Sequence, residues 1–111
     1  MIVTRFAPSP TGPLHLGHAF AAITAYQGGD DFVLRIEDID RTRSRDAFIE
    51  AIFLDLKWLG LSWDEPVLRQ SGRMTVYGGA LARLQEQGLT YPCFCTRADI
   101  AREIAQAGDA P

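Results

Sequence analysis

The first 37 residues constrain this chain more than any other part of it. Two strand-like runs, "IVTRFA" at 2–7 and "FVLRIE" at 32–37, are separated by a Pro/Gly loop and an alanine-rich segment. That segment, "HAFAAITAYQ" at 18–27, has spaced apolar positions and is stopped by "GGDD", which predicts a short helix. Strand, helix, strand with a crossover is an α/β arrangement, right-handed by default. The second run is nearly continuous in apolar character, as parallel-sheet strands tend to be.

Beyond it, "SRDAFIEAIFLDLKWLG" carries apolar residues at 48, 49, 52, 53, 56 and 59, which is helical periodicity. Ser44 is placed to cap its start and Gly60 its end. A third helix is expected from Ser71 to about Gln87, with Met74, Tyr77, Leu81 and Leu84 on one face and Gly88 as its stop. Gly78 and Gly79 inside it each cost roughly 1 kcal/mol against alanine, so its middle is weak or packs closely. "LTYPCFC" reads as a short extended segment and "TRADIAREIAQAG" as a capped final helix. Three strand-like segments are fewer than a doubly wound sheet normally uses, and "GDAP" follows directly on a helix. A fragment of a larger domain is therefore expected.

The 111 residues are enough for one domain with one modest core. No apolar run approaches the ~20 residues of a membrane span, and no signal-peptide pattern opens the chain. That reads as a cytoplasmic protein with no membrane partner. A formal net charge of -3 argues against a broad nucleic-acid grip by this stretch alone. Cys93 and Cys95, two apart, suit metal ligation better than a disulfide framework. In an extended strand residues i and i+2 share a face, so both sulfurs reach one ion; two buried free thiols are the plain alternative.

A strand that runs through a glycine loop into a helix places a phosphate on the helix N-terminus, where N–H groups and the dipole favour negative charge. In "RFAPSPTGPLHLGHAF", residues 5–20, Pro8, Pro10 and Pro13 stiffen such a loop. The dinucleotide fingerprint G-x-G-x-x-G is absent, and "GPLHLG" is followed by His18 and Ala19 where a P-loop needs Lys and Ser or Thr. His15 and His18, with Gly17 between, fit a different device. Their ring N–H groups would donate to phosphate oxygens as charge develops, and Gly17 would let a base approach the backbone. Two solvent-facing histidines, or half of a zinc site, are the alternatives that this spacing leaves open.

"HLGH" behind "APSPTGPL" resembles the HIGH signature of the class I aminoacyl-tRNA synthetases. "TRFAPSPTGPLHLGHAFAA", with "FVLRIEDIDRTR" following, resembles the glutamate-specific branch, and the likeness continues through "LKWLGLSWDEPVLRQS" and "YPCFCTRADI". Within that branch "HLGHAFAA", "EDID" and "YPCFCTRADI" look like the small glutamyl-queuosine tRNA(Asp) synthetases, which lack an anticodon-binding domain. The resemblance implies a Rossmann-like class I catalytic domain, a parallel sheet with crossover helices that is incomplete here. Residues 1–111 would be its N-terminal, nucleotide-binding part, with a zinc-binding insertion starting at about 89–111. It also implies a monomer that activates glutamate with ATP and its Mg2+. That monomer would attach the glutamate to the queuosine base in the anticodon of tRNA(Asp), gripping the tRNA mainly through segments absent here.

The implied chemistry is attack of glutamate's α-carboxylate on the α-phosphate of ATP, expelling pyrophosphate. It needs no enzyme nucleophile, so positioning and electrostatics carry it. By resemblance His15 and His18 are the catalytic pair on the ATP phosphates, and Thr11, Gly12 and Gly17 complete the ATP site. Arg5, Phe6, Ala7, Pro8, Ser9 and Glu37 would line the glutamate pocket. Arg5 offers a planar fork to a carboxylate at the carboxyl edge of the sheet, and Glu37 would hold the ammonium. Asp38 and Asp40 read as structural, within the interleaved charges of "RIEDIDRTR", with Arg41 and Arg43 as solvated partners. Trp58, Leu59 and Trp63 read as core or substrate-side packing. The resemblance implies zinc at Cys93 and Cys95, completed by a tyrosine and a cysteine that lie further on in relatives.

Relatives also carry a lysine-bearing second signature, and a tyrosine and an arginine of the glutamate pocket, beyond the position of Pro111. "AYQGGDDF" is shorter than in relatives, which run a longer helix there. Ordinary glutamyl-tRNA synthetase, charging a 3′ end, is the neighbouring reading. A remnant that binds a ligand or partner and catalyses nothing is the reading from another class.

Overall fold

The computed structural model describes residues 1–108, so the end of the expected 89–111 insertion lies outside the described residues. The chain divides into two compact units, Met1–Val76 and Tyr77–Pro111. In the first, β1 (Val3–Phe6), α1 (Leu16–Gln27), β2 (Asp31–Ile36), α2 (Asp46–Trp58) and β3 (Asp64–Arg69) follow one another, then a 3-10 turn over Gln70–Arg73. The strands form one sheet in the order β1-β2-β3, parallel throughout. The expected α/β architecture is present, as two successive strand–helix–strand units.

Alternation along β2 sends Phe32, Leu34 and Ile36 into one face of the sheet. Phe6 of β1 lies beside Leu34, and Ala22 of α1 with Ile49, Ile52 and Leu56 of α2 closes over them. Both helices cover the same face, as right-handed crossovers stepping one way across a sheet require. Each of the buried Phe, Leu and Ile side chains contributes roughly 1.5–3 kcal/mol relative to exposure. The other face carries Val3, Arg5, Val33, Arg35 and Leu68 by register, and none of them is fully buried. β2 is thus covered on one side within this unit, which its apolar run alone did not reveal.

The short connection between α1 and β2 keeps its geometry because Gly29 has no side chain. A Cβ there would stand 2.7 Å from Thr4 Cγ2 and 2.9 Å from the Ile2 carbonyl oxygen. Asp30 clamps the turn to β1: its N–H donates to the Ile2 carbonyl at 2.8 Å, and its carboxylate accepts from the Ile2 N–H at 2.8 Å.

Several boundaries differ from the sequence expectation. α1 starts at Leu16 rather than His18, because His15 caps it with its ring. Arg45, not Ser44, occupies the cap position of α2 and makes no side-chain cap bond, while the Ser44 hydroxyl is buried without a partner. Gly60 ends α2 as expected, at φ 78°, with the Leu61 N–H reaching back to the Leu56 carbonyl at 3.0 Å. The third strand is β3 and not "LTYPCFC", which has no regular structure. β3 hides from pattern reading because Asp64, Glu65 and Pro66 open it. Its pairing slips between Val33 and Arg35, an irregularity that an edge strand tolerates.

The second unit contains most of α3 (Met74–Glu86) and all of α4 (Arg97–Ala107). α3 begins after the 3-10 turn instead of at Ser71, and a Cβ at Gly78 or Gly79 would meet nothing within 4 Å. These glycines therefore weaken the helix without buying close packing. Thr96 caps α4 as expected: its hydroxyl accepts from the Asp99 N–H at 3.1 Å and the Asp99 carboxylate accepts from the Thr96 N–H at 2.9 Å. No described residue of this unit is fully buried. Among the described residues, no helix is long and apolar enough to cross a membrane.

Candidate functional site

The first half of the loop between β1 and α1 is held by two proline carbonyls. Pro8 accepts from the Glu37 N–H at 2.9 Å and the fully buried Pro10 from the Arg45 N–H at 3.1 Å. The loop is thereby fastened to the end of β2 and to the start of α2. Proline locks φ at these positions, so little loop freedom remains to be lost when a ligand binds. Thr11 donates its N–H to the Ser9 carbonyl at 2.9 Å, making a tight turn ahead of Gly12.

At the end of this loop the two imidazoles meet. His15 is the N-cap of α1, with its Nδ1 accepting from the Gly17 N–H at 3.1 Å. His18, one turn in, accepts at its own Nδ1 from the His15 N–H at 3.0 Å. The ring centroids lie 3.8 Å apart, tilted by 34°. No acidic side chain occupies the first turn of α1, so the positive end of the helix is unopposed from within. Partial burial, and then the adjacent His15, hold the His18 pKa below its ordinary 6.5. Gly17 serves the ring as well as any ligand: a Cβ there would press to 3.0 Å from His15 Cε1.

A cleft of about 370 Å³ gathers Phe6, Ala7, Pro8, Ser9, Thr11, Gly12 and His18. Residues expected at the glutamate and at the ATP thus share one hollow. Phe6 is mainly a core residue and Pro8 is buried, so their part is to shape the wall. His15 faces the neighbouring groove, of about 300 Å³, with Leu16, Asp55 and Trp58. Trp58 is 85% exposed there, so it is not core. Trp63 packs on Phe53 with centroids 5.8 Å apart.

Arg5 is exposed and sits beside Val33 in the sheet. Glu37 follows β2 on the same face, but its Oε1 is engaged by Arg35 rather than by Arg5. Arg35 is the residue that expectation missed. Its Nε is buried without a partner, while its other end holds Glu37. The i, i+2 spacing in "RIE" was the available signal, since it places both side chains on one face.

Asp38 and Asp40 have the structural roles expected of them. Buried Asp38 accepts from the Ser71 N–H at 2.9 Å and its hydroxyl at 2.7 Å. Burial pushes its pKa up, but the Ser71 bonds and the Arg69 charge outweigh that and hold it below the ordinary value. Asp40 accepts from the Thr42 hydroxyl at 2.7 Å and its N–H at 3.1 Å. Arg41 and Arg43 are exposed and form no ion pair among the described residues.

In the second unit Cys93 and Cys95 are both exposed, so they are not buried structural thiols. They line a groove with Tyr91, Asp99, Arg102 and Glu103. Two thiols are the right donors for zinc but half of a closed tetrahedral site. Among the described residues no three His, Cys, Asp or Glu side chains are grouped to hold a metal ion.

Residues 1–110 match the family model described as tRNA synthetases class I (E and Q), catalytic domain. This chain belongs to that family. It is 55% identical over 114 residues to the glutamyl-Q tRNA(Asp) synthetase of Rhodobacter capsulatus, a match that covers 99% of this chain and 40% of that protein. It is 46% identical to glutamate–tRNA ligase 1 of Methylococcus capsulatus, covering 99% of this chain and 26% of the ligase. A crystal structure of a glutamate tRNA ligase from Elizabethkingia meningosepticum in complex with its amino acid is similar, with TM-score 0.68 and 34% identity. That match covers 95% of this chain and 23% of the ligase. The chain therefore spans less than half the length of these synthetases.

Proposed function

We propose that this chain supplies the first half of an active site that activates glutamate with ATP. In this reading the glutamate then goes to the queuosine base in the anticodon of tRNA(Asp). The observation that carries the proposal is the pair of adjacent imidazoles at the α1 N-terminus, each anchored at Nδ1, beside the cleft of Ala7, Ser9, Thr11 and Gly12. His15 and His18 donate to phosphate oxygens of ATP, and the helix end adds its own N–H groups and dipole. Thr11 and Gly12 shape the loop around the triphosphate, whose Mg2+ arrives with it. Arg5, with no ion pair among the described residues, receives the side-chain carboxylate of glutamate as a planar fork. Glu37 takes the ammonium with the oxygen that Arg35 leaves free, and Ala7 and Ser9 line the space between.

Zinc belongs to the proposal only as an ion held by Cys93 and Cys95 together with ligands from outside the described residues. No step passes through it. The queuosine assignment rests on the higher identity to glutamyl-Q synthetases, 55% and 49%, against 46% and 48% for glutamate–tRNA ligases. A full-length enzyme carrying these residues, given labelled glutamate, ATP and tRNA(Asp), should place the label in the anticodon fragment only when queuosine is present. Label on the terminal adenosine of tRNA(Glu), independent of queuosine, would assign 3′-end charging instead. Failure to activate glutamate at all would leave a binding module.

A further inference from the structure

We propose that Gly17 is a positioning residue. Its N–H, acting in series with the N–H of His15, fixes both imidazoles as neutral rings that carry their proton on Nε2.

Two backbone amides decide the matter. The Gly17 N–H points at His15 Nδ1 from 3.1 Å, and the His15 N–H points at His18 Nδ1 from 3.0 Å. An amide hydrogen bonds only to a nitrogen that keeps its lone pair, so neither Nδ1 bears a proton. A neutral imidazole has one N–H, which must then be on Nε2 in both rings. At His18 a second proton would set donor against donor and break the bond from the His15 N–H. The rings also lie 3.8 Å apart, a spacing at which two cations repel.

The surroundings offer little to compensate a cation at His18. Its cleft is lined by Phe6, the 7–9 segment, Thr11, Gly12 and Pro13, none of them charged, so His15 is its ionisable neighbour. Asp55 of α2 faces the groove beside His15 and is the one acidic group there. The lowered pKa of His18 agrees with this placement. Gly17 is needed because a Cβ would stand 3.0 Å from Cε1 and 3.1 Å from Nδ1 of His15, displacing the ring from the amide.

What the two Nε2–H groups face rests on the phosphate reading above; the tautomer does not. On that reading the site offers two neutral donors in fixed directions, and acid disables it by breaking an internal bond.

The chain has only two histidines, so a two-bond proton–nitrogen correlation spectrum of the histidine-labelled 111-residue protein reads both rings. At pH 7.5 each should show the pure Nε2–H pattern, and His18 should titrate below 6.5. An Nδ1–H pattern, a free-imidazole average or a charged ring would overturn the proposal. Gly17→Ala should blur the His15 pattern and spare that of His18; an unchanged His15 in the folded variant would remove Gly17 from this role. Should that variant not fold, a through-hydrogen-bond coupling from the Gly17 N–H to His15 Nδ1 in the native chain tests the same contact, and its absence counts against it. Adding ATP should shift both Nε2 signals. Pure tautomers with no response to ATP would defeat the phosphate reading and leave the tautomer assignment standing.

Discussion

Asp38, just past the end of β2, accepts both the N–H and the hydroxyl of Ser71, 33 residues later, at 2.9 and 2.7 Å. That pair ties the chain leaving β3 back to the carboxyl edge of the central strand. Asp38→Ala should cost about 1–3 kcal/mol, since it leaves two donors in a half-buried place without a partner. Ser71→Ala should cost less, because the backbone bond survives. Urea unfolding with an unchanged m-value is the check, and equal, near-zero losses would make the contact incidental.

The two kinds of glycine in this chain should respond oppositely to alanine. Gly29→Ala drives a methyl to 2.9 Å from the Ile2 carbonyl oxygen, just ahead of β1, so about 1–3 kcal/mol of destabilisation is expected. Gly78→Ala and Gly79→Ala point into open space on a helix and should each stabilise by roughly 0.4–1 kcal/mol. Thermal melts of the three variants would separate the cases, and a tolerated Gly29→Ala would mean that the α1–β2 turn has room to shift.

Stability should fall in two stages on acidification. His18 has a folded pKa below 6.5, so the unfolded chain binds its proton first, and this contribution is lost as pH falls below about 6.5. Hydrogen bonds hold Asp38, Asp40 and Asp99 below 3.8, so their contributions are intact above that value and disappear beneath it. His18→Gln keeps an acceptor for the His15 N–H but cannot titrate, and should erase the first stage alone. Denaturant midpoints between pH 8 and 3 decide this; stability that rises from pH 7 to 5 would contradict it.

Much of this was legible in the residues. The first crossover and the α2 face follow from periodicity, and Gly60 and Thr96 act at the helix ends where their chemistry places them. Asp38 and Asp40 are structural as expected, but their partners are not the neighbouring charges of "RIEDIDRTR": Asp40 holds Thr42, and Asp38 reaches Ser71, 33 residues away. What stayed hidden depends on three-dimensional neighbours. β3 has no apolar alternation to betray it, with Pro66 near its start and a slipped register. The start of α1 moved because a histidine ring, not one of the usual capping side chains, took the cap. Arg35 stands in the sequence only as one of the interleaved charges of that segment, and nothing there but the i, i+2 spacing singles it out as the partner of Glu37.

Arg5 separates function from folding. Its side chain is exposed and makes no hydrogen bond or ion pair among the described residues, so Arg5→Ala should change stability by less than about 0.5 kcal/mol. In a full-length enzyme the same change should reduce kcat/KM for glutamate by about 10²–10³, and Arg5→Lys should recover little of it. Unaltered glutamate kinetics would remove Arg5 from the pocket.

His15 and His18 are proposed above to serve glutamate activation. The most direct measurement joins residues 1–111 to the remainder of the Rhodobacter capsulatus relative, of which this chain covers 40%. Glutamate-dependent ATP–pyrophosphate exchange is then followed with and without His15→Ala and His18→Ala. The chimera should exchange while the 111-residue chain alone stays nearly inert, and each substitution should lower the rate by about 10²–10³. A folded chimera whose exchange is indifferent to both substitutions, or turnover by the short chain at the chimera's rate, would contradict the account.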